Sequence, residues 1–248
     1  MHMQYVPSIR ACGAIRSLVT ENSDNSAQLG AAGACATVAN CLRAHMSTPR
    51  VVESLLGAIF SLSDFHDNMA KFLAAAALKA VARALTAHSS EDTLVKSGCK
   101  AVNAFVSGGS YYQTRLGDAG VYEAVIATLR ARSCLCDLCD DLCNLCTYTS
   151  TCILNTIRTL AEGDNESKAK LIAAGAVSAL HAAAAARSDE VKESAKAALK
   201  LLPQVGGGGV HGLPPRKDLP TRPATISKQP PAVADEENTK NLSASFLP

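Results

Sequence analysis

Apolar and polar residues follow two nested rhythms along this chain. The short one is helical: Leu55, Leu56, Ile59, Phe60 and Leu62 recur at three- and four-residue spacing and share one face. The long one is a repeated phrase. Asn25-Ser-Ala-Gln-Leu-Gly-Ala-Ala-Gly33 returns as Asn68-Met-Ala-Lys-Phe-Leu-Ala-Ala-Ala76, as Tyr112-Gln-Thr-Arg-Leu-Gly-Asp-Ala-Gly120 and as Ser167-Lys-Ala-Lys-Leu-Ile-Ala-Ala-Gly175, at steps of 43, 44 and 55. A second phrase, Ala14-Ile15-x-x-Leu18, returns at Ala58-Ile59, Val102-Asn103, Thr156-Ile157 and Ala198-Leu199, at steps of 44, 44, 54 and 42. Both periods lengthen between the same two copies. A period in the forties predicts an all-α fold, an α-solenoid whose units bury their apolar faces by stacking on their neighbours.

The pattern divides the chain. Residues 5–21 predict one helix, with Ile9, Ala14, Ile15, Leu18 and Val19 on its apolar side, matching the last helix of a partial repeat. Its apolar face has no earlier unit to shield it, so an incomplete array or a pairing surface is expected at this end. Residues 22–64, 65–108, 109–163 and 164–203 predict four units of three helices each. Gly33 permits a sharp bend between the first two helices of its unit. Ala76 stands at that place in the next unit and predicts a weaker kink. Pro49 opens a third helix, Ser89-Ser90-Glu91-Asp92 reads as an N-terminal cap, and Ser188 opens a polar last helix that suits the end of an array. From residue 204 the periodicity stops. Eight of the ten prolines lie from Pro203 onward, after the joint Gly206–Gly209, and residues 204–248 are expected to be a disordered tail.

Composition narrows the function. Of 248 residues, 48% are apolar and only 4% aromatic, with no Trp; the abundant Ala favours helices that approach closely. A net charge of +2 gives no electrostatic reason to expect nucleic acid or an anionic membrane. No transmembrane or secretory segment is expected. The expected location is the cytosol or nucleus, with the ten cysteines reduced.

A short first helix, an Ala-Gly bend and a terminal Ala-(Ile/Leu)-x-x-Leu phrase resemble the armadillo repeat over roughly residues 5–203. The resemblance implies a right-handed α-solenoid of about four three-helix repeats plus an N-terminal half repeat. It also implies a concave groove of third helices that binds a protein or an extended peptide. Transferred to this chain, the lining residues are Arg16, Ser17, Ser61, Asn103, Phe105, Asn155, Arg158 and Thr159, with Phe105 as an apolar anchor. Peptide-gripping members carry an Asn just before the last Leu of the third helix. The matching residues here are Ser17, Ser61, Phe105, Thr159 and Leu201, so a nuclear-import role is not implied.

Cysteine chemistry offers an alternative. Cys134-Leu-Cys-Asp-Leu-Cys-Asp-Asp-Leu-Cys-Asn-Leu-Cys146 fills an insert at 133–147 in the third unit. Cys136, Cys139, Cys143 and Cys146 make two Cys-x-x-Cys pairs, suited to zinc, and a metal- or redox-responsive regulator is the second reading. The pairs are separated by only three residues, much less than in zinc ribbons. Leu-Cys pairs at steps of 3, 4 and 3 also describe an amphipathic helix, in which Cys serves as a small apolar residue. No cofactor is required by that reading. Lys217-x-x-Pro220-x-x-Pro223 in the tail is a candidate ligand for a proline-motif-binding domain. His45 and His88 fall at matching helix ends, where capping explains them. No nucleophile–base motif or phosphate-cradling loop is present, so no enzyme is expected.

Overall fold

A computed structural model describes residues 6–136 and 144–203, with side chains described over 7–132 and 145–203. The tail from residue 204, with its proline motif, and the middle of the cysteine insert lie outside the described residues. Among the described residues there are thirteen helices and no strand. They are α1 (Val6–Val19); α2 (Ser23–Ala31), α3 (Ala34–Ala44) and α4 (Pro49–Leu62); α5 (His66–Ala74), α6 (Ala77–Ala87) and α7 (Asp92–Ser107); α8 (Ser110–Asp118), α9 (Val121–Cys136) and α10 (Asn144–Ala161); and α11 (Asn165–Ala173), α12 (Ala176–Ala184) and α13 (Asp189–Leu201). Helices α1, α4, α7, α10 and α13 pack side by side in sequence, and α3, α6, α9 and α12 form a second row. This is an α-solenoid.

The repeated phrase sets the bends. Gly33, Gly120 and Gly175 stand before α3, α9 and α12 with φ of +86°, +77° and +82°. Ala76 takes the same place before α6 and the same left-handed conformation, φ +53°. The weaker kink expected there does not occur. Side chains on both flanks, Phe72 and Leu78, are buried in the core and impose the bend on an alanine. The backbone bears a cost of about 1–2 kcal/mol for it.

Packing between units uses large side chains where the phrase supplies them. Phe72, Phe105 and Tyr112 cluster with ring centroids 6.2–6.3 Å apart from one to the next. Polar links cross the same seams. Asn68 is fully buried and its amide donates to the Ser26 carbonyl at 2.9 Å and the Leu62 carbonyl at 3.1 Å, tying α5 to α2 and α4. Gly30 faces this amide, and a Cβ there would overlap Asn68 Oδ1.

Helix starts differ in how they are secured. Asn22, Asp164 and Ser188 accept hydrogen bonds from backbone N–H groups of α2, α11 and α13. The expected cap at Ser89–Asp92 is absent: Glu91 is the N-cap of α7 and its side chain makes no capping bond. Asp92 instead pairs with the buried guanidinium of Arg132 from α9, which also donates to the Ser89 carbonyl at 3.1 Å. The start of α7 is thus held by a neighbouring helix and not by its own side chains. His45 and His88 occupy the C-caps of α3 and α6, and His88 Nε2 lies 2.6 Å from the Met46 carbonyl oxygen.

Candidate functional site

The row of third helices leaves one face of each helix outside the core. Its register follows from the buried pairs. On α4 these begin Val51-Val52 and Leu55-Leu56; on α7 they begin Leu94-Val95 and Gly98-Cys99, a step of 43. On α10 the counterparts are Thr149-Ser150 and Ile153-Leu154, a step of 55. The outward face therefore carries matched rows: Ser54, Ser97 and Cys152; Gly57, Lys100 and Asn155; Phe60, Asn103 and Arg158; Ser61, Ala104 and Thr159.

This register corrects one assignment. Alignment of the terminal phrase at a step of 44 equates Phe105 with Ser61. In three dimensions Phe105 takes the place of Leu62, and both are fully buried. Phe105 is a core residue and not an apolar anchor of the groove. The aromatic ring on the face is Phe60, half-buried, which periodicity assigns to the apolar side of its helix.

The remaining candidates do lie on or beside this face. Arg16 and Ser17 of α1 and Ser61 of α4 line one cleft of about 440 Å³, together with Phe60 and Gly57 of α4 and Ser97 and Lys100 of α7. Asn103 is half-buried, and its Oδ1 has no hydrogen-bond partner. Asn155 and Arg158 are exposed on α10, and Thr159 is partly so. Arg158 pairs with Glu162 at 3.1 Å, and Thr159 donates to the Asn155 carbonyl at 2.9 Å.

Local sequence explains the shape of the cleft. Gly57 interrupts the wall of α4, and Arg16 lies across it: a Cβ at Gly57 would sit 3.3 Å from Arg16 Cδ and Nη1. The Arg16 side chain thereby reaches over α4 into the space lined by Lys100. Lys100 Nζ lies 6.0 Å from the centre of the Phe60 ring, and Lys96 Nζ lies 5.2 Å from that of Tyr148 on α10. Such cation–π contacts contribute about 0.5–1 kcal/mol at exposed sites. None of Arg16, Lys96 and Lys100 forms an ion pair among the described residues. Glu53 of α4 accepts from the Thr93 hydroxyl at 2.9 Å.

Sequence reasoning overlooked Phe60, Ser97 and Lys100 as lining residues. The signal that finds them is the step of the buried pairs, because a shift of one residue rotates a helix by about 100° and changes which side chain faces outward.

A second cleft, of about 550 Å³, lies between α5, α6 and α8, away from the third helices. Leu73, Leu78, Tyr111 and Arg115 are among the residues lining it, and Arg115 is paired with Asp118 at 3.7 Å.

The four thiols Cys136, Cys139, Cys143 and Cys146 are not brought together as a described site. Cys139 and Cys143 lie outside the described residues, Cys136 ends α9, and Cys146 is half-buried in the first turn of α10. Of the other described thiols, Cys12, Cys35 and Cys99 are buried in the core, and Cys41 and Cys152 are half-buried. Burial pushes the Cys12 and Cys35 thiols up to about 11 and that of Cys99 up to about 12. Burial also raises Cys152, against the opposing pull of a Tyr148 hydrogen bond and of Lys96 and Lys100. No described helix is long and apolar enough to cross a membrane.

No protein-family model and no curated protein matches the sequence. Solved structures do match the fold. One is a designed armadillo repeat protein in complex with the peptide (KR)4, 24% identical, covering 81% of this chain and 77% of its own, at a TM-score of 0.63. Another belongs to computationally designed armadillo repeat proteins for modular peptide recognition, also 24% identical, covering 78% of this chain and 75% of its own, at a TM-score of 0.61. An engineered protein at 19% identity reaches a TM-score of 0.65 over 81% of this chain and 76% of its own. With these likenesses and its stacked helix triplets, the chain has the armadillo-like α-solenoid fold.

Proposed function

We propose that this protein is a non-enzymatic scaffold that holds a segment of another protein against the outward face of its third helices. The observation that carries the reading is the cleft shared by α1, α4 and α7, where three successive third helices contribute to one concave surface. Concave surfaces built by stacked repeats suit extended ligands, because each unit presents the same positions at a regular advance. Two of the fold's designed relatives are described by peptide binding, one with a bound (KR)4 peptide. The lining combines hydroxyls and cations with one half-buried ring, a mixture that serves recognition and contains no nucleophile–base pair. Cytosol or nucleus suits a protein whose described cysteines are not disulfide-bonded to one another.

The test is selection from a peptide library displayed on phage with the full chain as bait. Enrichment is expected for the native protein. It should disappear when Ser61→Tyr and Asn155→Tyr together fill the face, while the thermal melting of this variant stays within a few degrees. Undiminished enrichment on the filled face would remove the groove from consideration.

A further inference from the structure

The charges of the cleft identify the partner more closely. Every charged side chain that lines it is a cation, Arg16 or Lys100, and its other polar side chains are hydroxyls, from Ser17, Thr20, Ser61 and Ser97. The basic character continues along α7 to Lys96. Glu53 of α4 is the carboxylate beside this face, and its Oε2 accepts from the Thr93 hydroxyl at 2.9 Å; on α13, Glu193 is paired with Lys196 at 2.8 Å. The protein as a whole is nearly neutral, at +2, so this is a local feature. Arg16 of α1 and Lys96 and Lys100 of α7 have no carboxylate partner among the described residues, and like charges held on one face repel each other. An anionic ligand would relieve that repulsion and gain charge-assisted hydrogen bonds.

On this basis, which rests on the groove reading above, we infer that the face selects an extended peptide carrying acidic side chains, with carboxylates directed at Arg16, Lys100 and Lys96. Its geometry suits a strand. Neighbouring helices pack about 8–10 Å apart, and an extended chain advances about 3.3 Å per residue, so one helix spacing corresponds to two or three residues. From α1 to α7 is two helix spacings, about 16–20 Å or about five to six extended residues, so acids separated by that stretch face Arg16 at one end and Lys100 at the other. The hydroxyls between the cations can pair with the peptide backbone.

A single-stranded nucleic acid is the other polyanion to consider, since cations beside aromatic rings also bind bases. Phe60 is half-buried, and one face of each ring already carries a lysine. Lys100 and Lys96 already stand over Phe60 and Tyr148. A base stacking on that face would displace the ammonium group, whereas a carboxylate pairs with it in place.

The experiment is a fluorescence-anisotropy titration of the full chain with labelled (Asp-Val)4, (Asn-Val)4 and (Lys-Val)4 peptides and an eight-residue oligouridylate. The acidic peptide should bind at least tenfold more tightly than the neutral one, lose affinity as salt rises, and outcompete the oligouridylate. The basic peptide should not bind. Arg16→Glu with Lys100→Glu, both on exposed residues, should weaken the acidic peptide at least tenfold and improve the basic one. Circular dichroism of the double variant confirms that it remains folded. Equal binding of all three peptides would overturn the charge inference and leave the groove reading standing. Binding of none would overturn both. Tighter binding of oligouridylate, or an acidic peptide indifferent to the double substitution, would overturn the inference alone.

Discussion

Ala76 holds a left-handed backbone conformation that its three counterparts assign to glycine. The strain is local and has a direct test. Ala76→Gly should stabilise the protein by about 0.5–1 kcal/mol, the relief of the left-handed cost less the added freedom of an unfolded glycine. Gly33→Ala should destabilise it by a similar amount, and chemical denaturation measures both. A sequence records that an alanine stands at the bend, but not that Phe72 and Leu78 on either side are core residues that fix the chain direction. Phe105 teaches the same lesson. Its place in a repeated phrase was plain, yet a one-residue difference in register decides between Leu62's buried place and Ser61's outward one. Only the packed partners, Phe72 and Tyr112, reveal which applies.

Helices in this array depend on their neighbours for their ends as well as their faces. The start of α7 has no cap of its own and is held by Arg132 of α9, whose side chain is 3% exposed. Arg132→Ala would leave Asp92 and the Ser89 carbonyl without their partner. A loss of about 2–4 kcal/mol is expected in equilibrium unfolding, larger than for removal of an ordinary surface pair. Asp164→Ala, which removes a helix cap at the surface of α11, should cost only about 1 kcal/mol. Element existence was legible from periodicity alone, because the apolar spacing is regular. The Arg132–Asp92 link was not, because it joins positions forty residues apart in sequence across two different helices.

At the scale of the molecule, the stacked core makes stability depend on keeping its thiols neutral. Burial raises Cys12, Cys35 and Cys99 from an ordinary value of 9.0 to about 11, 11 and 12. In the unfolded chain these thiols release their protons first. Their contribution is therefore fully present below about pH 9 and declines as pH rises from 9 towards 11–12. The melting temperature should fall across that window, and Cys99→Ala should flatten the fall.

The claim on which the account turns is that the third-helix face is where a partner sits. Site-specific photo-crosslinking tests it most directly. A benzophenone amino acid placed at Thr159 or Ser61 should form adducts with a bound library-selected peptide, and one placed at Lys79 beside the second cleft should form none. Adducts from Lys79, with none from Thr159 or Ser61, would contradict the account.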